Sequence, residues 1–245
     1  MKTDSGKNKN PYSLISTQKV APQEEKEIMN CTSFSLEELL LHKSDNNIPI
    51  LKNSTTLNAA EKIERIKNHI HGIMTTLGLD MTDESLRDTP MRVAKMYLNE
   101  TFSGLDAANE PKLSLFSNNY QYNQMLLVKD ITIYSTCEHH LVPFYGKAHV
   151  AYFSTGKVIG LSKLNRIADY FSRRPQVQER LTIDISKALK HALETEDIAI
   201  VIDANHLCVA SRGIHDVNSS TTTAEYSGRF LNYDVRNEFL SYLKK

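Results

Sequence analysis

The chain has only three cysteines, Cys31, Cys137 and Cys208, in 245 residues. So sparse and odd a count excludes a disulfide framework and fits a reducing compartment. Residues 1–30 are polar, with no apolar stretch or cleavage pattern of a secretory signal. No apolar run approaches the roughly 20 residues needed to span a bilayer. Excess charge is also missing: Lys plus Arg is 29 and Asp plus Glu is 29. That disfavours a dedicated nucleic-acid binder, which carries a basic excess, so any anionic ligand must be met by local clusters. A cytoplasmic protein with no membrane and no nucleic-acid partner is expected. There is no internal repeat and no Gly/Ser linker. Residues 1–54 are rich in Lys, Asn, Ser, Gln and Glu and poor in aromatics. This segment is expected to be a largely disordered extension, with at most a short helix over Ser35–Leu41. Residues 55–245 read as one domain of ordinary size.

What the domain does have is Cys137-Glu138-His139-His140, answered far along the chain by His206-Leu207-Cys208. Thiolates and imidazoles are zinc's preferred donors. The C-x-x-H spacing of Cys137 and His140 lets one tight turn aim both at a point, and Cys208 can close the set. Three protein ligands leave a tetrahedral zinc one open position, where water acquires a pKa of roughly 7. His139 and His206 are left over as candidate proton carriers. Two alternatives share this spacing. His206 could complete a closed, structural Cys₂His₂ site, or Cys137 and Cys208 could pair as a disulfide.

Hydrophobic periodicity predicts the frame. Ile63, Ile66, Ile70, Ile73, Met74 and Leu77 form one helical stripe, read as core-facing, with an Asn58/Glu61 capping box and Gly78 as C-cap. A second helix is expected from Thr89-Pro90, with Thr89 as N-cap, to near Gly104. Strands are expected at Met125–Val128, Ile131–Tyr134 and Gly146–Phe153, the last turning through residues 154–157 into Val158–Leu161. A helix capped by Ser162 should run to Phe171, and another from Pro175 to Glu194. Ile198–Asp203 and His206–Ser211 read as a closing pair of strands, and Val235–Leu243 as a last helix. This mix is an α+β domain with an antiparallel sheet.

Three further groups suit an anionic purine nucleotide. Lys163 and Arg166 share a face at a helix start beside Ser162, where free N–H groups favour phosphate. Arg212-Gly213 lies just past Cys208. Gln178-Glu179 opens a helix, and a carboxylate there can accept both the N1–H and the 2-amino group of guanine. The two residues differ by about 100° around a helix, so spacing alone does not put both in one pocket. Standing alone, Glu179 reads as a solvated surface carboxylate.

Taken together, Ser135–His140, Gly160–Arg166, Arg174–Thr182, His206–Cys208 and Arg212-Gly213 resemble GTP cyclohydrolase I, in order, over roughly residues 58 to 243. The resemblance implies a tunnelling fold, an antiparallel four-stranded sheet with two helices on one side, preceded by N-terminal helices. It implies a homo-oligomer, a decamer of two pentamers with active sites at subunit interfaces. The implied reaction converts GTP and water to formate and 7,8-dihydroneopterin triphosphate, the first step towards tetrahydrofolate or tetrahydrobiopterin. Carried over by motif, Cys137, His140 and Cys208 would hold zinc, and His139, His206 and Ser162 would be catalytic. Gln178 and Glu179 would read guanine. Lys163, Arg166 and Arg212 would meet the triphosphate, with Arg92 reaching it from a neighbouring subunit. A feedback regulatory protein is compatible with this reading but cannot be read from the chain. A non-catalytic pterin or purine binder of the same fold, or a structural-zinc interaction module, are the competing classes.

Overall fold

The computed structural model describes residues 57–244. The expected disordered extension, the short helix over Ser35–Leu41 and Cys31 lie outside the described residues. Helix α1, Ala59–Thr76, begins at the expected capping box: the Asn58 side chain accepts from the Glu61 N–H, and the Glu61 carboxylate accepts from the Asn58 N–H. Its end is the expected glycine stop, Gly78 with φ 82°. The stripe itself departs from expectation. Only Met74 is buried, whereas Ile73 is 55% and Leu77 72% exposed. Among the described residues α1 packs on α2, Thr89–Met96, and on the turn that follows it. Thr89 is not the N-cap; Asp88 is, which puts Pro90 at the second helical position, still within the turn where its missing N–H costs nothing. After Met96 the helix widens into a π turn, Tyr97–Thr101, and then short 3₁₀ turns.

The sheet follows. The two strands expected around Lys129-Asp130 are one, β2, Leu126–Cys137, with a bulge between Val128 and Ile131 where Asp130 takes φ 59°. The bulge keeps Val128 and Ile131 on the same face although they are an odd number of residues apart. Strand β3, Pro143–Tyr152, pairs antiparallel with β2 and with β6, Ile198–His206. The final strand of the sheet, β7, Thr221–Tyr226, was not anticipated. The expected strand after His206 is instead a helical turn, α5, Leu207–Ala210. The expected hairpin at residues 154–157 does not form either. β4, Lys157–Ile159, leaves the main sheet and pairs with β1, Leu115–Ser117.

Two helices cover one face of the sheet. Helix α3, Leu161–Ser172, is preceded by Gly160 as N-cap, and Ser162 lies inside its first turn without capping it. Pro175 does not open the next helix. Pro175-Gln176 form β5, a short parallel partner to the end of β2, and α4 begins afterwards, spanning Gln178–Leu193. Proline's lack of an N–H is tolerated at such an edge. Leu164, Ile167 and Ala168 of α3, with Leu181, Ile185, Leu189 and Leu193 of α4, bury against Ile133, Phe144, Val150, Ile200 and Ile202. Each of the larger of these side chains, the Leu, Ile, Val and Phe residues, contributes about 1.5–3 kcal/mol on leaving water. Helix α6, Tyr233–Leu243, covers one end of the opposite face through Phe239, against Phe230, Ala199 and Val201. The result is an α+β architecture around a five-stranded sheet of order β5-β2-β3-β6-β7.

Gly146 marks the closest approach between strands. A methyl group there would stand 1.9 Å from the Asp203 carbonyl oxygen and 2.6 Å from the Ala204 Cα. Gly146→Ala should therefore cost about 1–3 kcal/mol as the strands are forced apart. Gly72 in α1 has open space, and Gly72→Ala should stabilise by about 0.5–1 kcal/mol. Denaturant midpoints of the two variants, moving in opposite directions, check both statements.

Candidate metal centre and active site

Strand β2 ends on Cys137 and the chain turns back at once. The Cys137 N–H donates to the Val142 carbonyl at 2.9 Å, and the Leu141 N–H donates to the Cys137 carbonyl at 2.8 Å. Leu141 closes the turn at φ 52°, a left-handed conformation that costs a side-chain-bearing residue about 1–2 kcal/mol. The turn projects Cys137 and His140 together, and the helical turn after β6 brings Cys208 to them. The ligand atoms of Cys137, His140 and Cys208 all lie within 4.8 Å of one another. Cys137 Sγ stands 3.9 Å from His140 Nδ1. Cys137 is buried, Cys208 half-buried and His140 exposed, so the cluster opens to solvent on one side.

The donor chemistry fits a thiophilic divalent ion. Both thiols are free, so the disulfide alternative is not what this structure holds. Burial pushes the Cys208 thiol up, the adjacent Cys137 sulfur adds to the rise, and Arg212 opposes it. Two nearby thiols resist joint ionisation by themselves, and a bound cation reverses that preference by ligating thiolates. Among the described residues the cluster has three members, and His206 is not one of them. The closed Cys₂His₂ alternative is therefore not formed.

The leftover histidines flank this cluster differently. His139 Nδ1 is 3.8 Å from Cys137 Sγ, and its side chain is 65% exposed, with Nε2 3.9 Å from the Glu138 carboxylate. His206 ends β6 opposite Phe144, and the two rings stack at 4.7 Å with 10° between planes. Burial lowers the His206 pKa and the nearby Glu179 carboxylate works against that. Gln178 and Glu179, neighbours in sequence, part ways. Gln178 is 2% exposed, and its amide donates to the Ile202 and Thr221 carbonyls while its oxygen faces His206. Its polar atoms are thus already engaged inside the fold, whereas Glu179 is exposed.

The cationic residues occupy separate places in the single chain. Lys163 and Arg166 line a cavity of about 590 Å³, together with Lys112, Arg173, Asn99 and Ser103. The three cluster residues and Arg212 are not in its lining. Arg212 instead follows α5, close enough for its charge to act on Cys208. Arg92, on α2, holds the Ser85 carbonyl at 2.8 Å and the Thr89 hydroxyl at 3.1 Å. Ser162 is exposed in the first turn of α3.

One supporting network was not anticipated. Arg180 of α4 forms an ion pair with Glu138, in the ligand-bearing turn, and its Nε donates to Gln176 Oε1 at 2.7 Å. The Gln176 amide in turn donates to Asp184 at 3.2 Å, and the Gln176 carbonyl accepts the Glu138 N–H at 3.0 Å. Arg180 falls within the quoted stretch Arg174–Thr182, which was the available signal. No spacing rule pairs it with Glu138, because the partners come from different elements.

The fold thus presents an α+β domain with a Cys₂His cluster at one rim of its sheet and two histidines, His139 and His206, outside that set. The family model for GTP cyclohydrolase I matches residues 66–244. GTP cyclohydrolase 1 of Flavobacterium johnsoniae is 56% identical over 196 residues, 80% of this chain and 88% of that protein. The protein of the same name from Aeromonas salmonicida is 51% identical over 218 residues, 87% of this chain and 99% of that one. That of Vibrio cholerae is 54% identical over 186 residues, covering 76% and 86%. The chain belongs to the GTP cyclohydrolase I family. Among its described residues, no helix is long and apolar enough to cross a membrane.

Arg180 bears on the candidate metal centre without belonging to it. Arg180→Met removes the guanidinium partner of the Glu138 carboxylate beside Cys137, and outer partners of ligands typically change metal affinity by about 10–100-fold. Chelator competition on the purified variant should show a loss in that range with secondary structure unchanged by circular dichroism. Unaltered metal retention would remove Arg180 from any role at this centre.

Proposed function

We propose that this chain is a zinc-dependent GTP cyclohydrolase I, hydrolysing and rearranging GTP to 7,8-dihydroneopterin triphosphate and formate. The observation that carries the reading is the convergence of Cys137, His140 and Cys208, with His139 and His206 beside them but outside the set. Zinc on these three residues would supply Lewis acidity that makes a water nucleophilic near neutral pH. C8 of guanine is a poor electrophile until N7 is protonated. His139, exposed next to Cys137, is the group to deliver that proton. Loss of formate then needs proton transfers, and opening and rearranging the ribose needs more. His206 and Ser162 are the groups assigned to them.

Recognition follows from charge and hydrogen bonding. Glu179, exposed and within electrostatic reach of His206, accepts the N1–H and 2-amino group of guanine. Adenine offers no such pair of donors. Gln178 belongs to the same base-proximal corner and supports it from inside. Lys163, Arg166 and Arg212 give about three positive charges against roughly four on the triphosphate, and Arg92 of a neighbouring subunit would supply the next. The triphosphate is remote from the reacting carbon, so its binding energy serves to hold the base in place.

The same reading assigns the tunnelling fold, the cytoplasm and a decamer of two pentamers. Two observations support assembly. Ile73 and Leu77 of α1, with Ile214 and Val217 in the loop after α5, form apolar surface a lone chain leaves in water, at 55%, 72%, 79% and 72% exposure. The Lys163/Arg166 cavity also lacks the metal cluster in its own chain's lining, as expected of a site completed by another subunit.

Incubation with GTP and zinc, followed by pterin absorbance and released formate, tests the reaction. The wild-type chain should produce both in equal amounts. Cys208→Ala should lose zinc by elemental analysis and fall to background turnover; full activity in that metal-free variant would sink the assignment.

Sharing of the site has its own test. Arg92→Ala and Cys208→Ala should each be inactive alone. Refolded together, they should regain measurable turnover, because some sites receive an intact Arg92 and intact ligands from different subunits. No gain, with mixed oligomers confirmed by native mass spectrometry, would place Arg92 within its own subunit's function or outside the site.

A further inference from the structure

The buried amide of Gln178 fixes more than a position. Its nitrogen lies 3.1 Å from the Ile202 carbonyl oxygen and 2.8 Å from that of Thr221. Backbone carbonyls only accept hydrogen bonds. Turning the amide over would set its oxygen against two carbonyl oxygens in a buried site, so the NH₂ group must face them. A third neighbour, Thr223 Oγ1 at 3.2 Å, agrees with this orientation. Thr182 Oγ1 donates to the main-chain carbonyl of Gln178 at 2.9 Å, so in its 2.7 Å contact with Thr223 Oγ1 it must accept. Thr223 therefore gives its proton to Thr182 and presents a lone pair to the amide. Every acceptor around the nitrogen is accounted for by fixed backbone groups and this hydroxyl chain.

With the amide orientation settled, its oxygen is the atom 2.8 Å from His206 Nε2. An amide oxygen carries no hydrogen, so the hydrogen in this bond belongs to the histidine. The Phe144 ring, stacked at 4.7 Å, holds the imidazole plane in that alignment. We infer that Gln178 is a positioning residue that holds the His206 ring in one orientation and its neutral imidazole in the Nε2–H tautomer, with Nδ1 the nitrogen that carries no hydrogen. The consequence for turnover rests on the proposed function; the tautomer itself does not.

The test uses the full-length, zinc-loaded protein labelled with ¹⁵N-histidine and sedimented for solid-state NMR. The chain has nine histidines, so His206 is identified by the signals lost in His206→Asn. The expected result at neutral pH is a pyrrole-type Nε2 and a pyridine-type Nδ1. The reverse pattern in the wild-type protein overturns the inference, whatever the variants do. Gln178→Glu and Gln178→Met both remove the same NH₂ donor, so their difference isolates the acceptor at Oε1. Gln178→Glu should retain the Nε2–H signature, and Gln178→Met should lose it. In GTP turnover, Gln178→Met should lower kcat by about 10²-fold, the scale of a displaced acid–base group, with KM nearly unchanged. A raised KM with kcat preserved would instead make Gln178 a base-reading residue and reject the positioning role. A native Nε2–H signature in a protein that does not turn over GTP would leave the tautomer standing and remove the cyclohydrolase reading.

Discussion

The site depends on the register of three strands at one rim of the sheet. Ser135 of β2 faces Phe144 of β3, and Phe144 faces His206 of β6. From that row the chain continues by two residues to Cys137 on one side and by two to Cys208 on the other. Side chains alternate along a strand, so a slip of one residue would send Cys137 to the opposite face and dissolve the cluster. Two features hold the register. The Cys137–Val142 backbone bond closes the β2–β3 turn even at the expense of a left-handed Leu141. The bulge after Val128 absorbs the odd residue that would otherwise put the two halves of β2 out of phase.

Given that register, electrostatics sets what the rim can hold. Burial first, and then the adjacent Cys137 sulfur, push the Cys208 thiol towards its neutral form. The Arg212 charge opposes this at Cys208 as the smallest of the influences acting there. The Arg180 charge is instead directed at Glu138, which stiffens the turn. A cation bound between the two thiols would ionise them, which is how a metal site differs from a thiolate nucleophile activated by a neighbouring base.

Much of this was legible from the residues. Cys137, His140 and Cys208 were singled out as a set by donor chemistry, and the structure brings their ligand atoms together. Of the two helices on the sheet, the one that buries Leu181 and Ile185 shows its apolar face in the sequence at helical spacing. The misreadings have physical causes. Ser162 looked like a cap because serine usually is one, yet Gly160 already turns the chain into α3. Pro175 looked like a helix start, but β2 offered its segment a strand edge. Strand β7 went unseen because Thr221-Thr222-Thr223 lies at an edge and lacks an apolar alternation. The α1 stripe read as core because periodicity reports an apolar face without saying which chain covers it.

The start of α4 shows why neighbouring letters in such a motif resist individual assignment from spacing. Successive helical residues turn by about 100°, so four consecutive side chains meet four environments. Gln178 enters the seam between β6 and β7 and reaches His206. Glu179 faces solvent. Arg180 crosses to Glu138 in the ligand turn. Leu181 is fully buried in the core. One helical turn therefore couples the core, the turn that carries Cys137 and His140, the second histidine and an exposed carboxylate through a single rigid element. Displacing α4 along its axis by one residue would break all four relations at once. The helix end is fixed from several sides, by Gln176 on β2, by Thr182 against Thr223 and by Leu181, Ile185 and Leu189 in the core. The precision of the rim is thus inherited from packing well away from it: the hydrophobic face of α4 sets the helix, and the helix sets the polar groups that set the histidine.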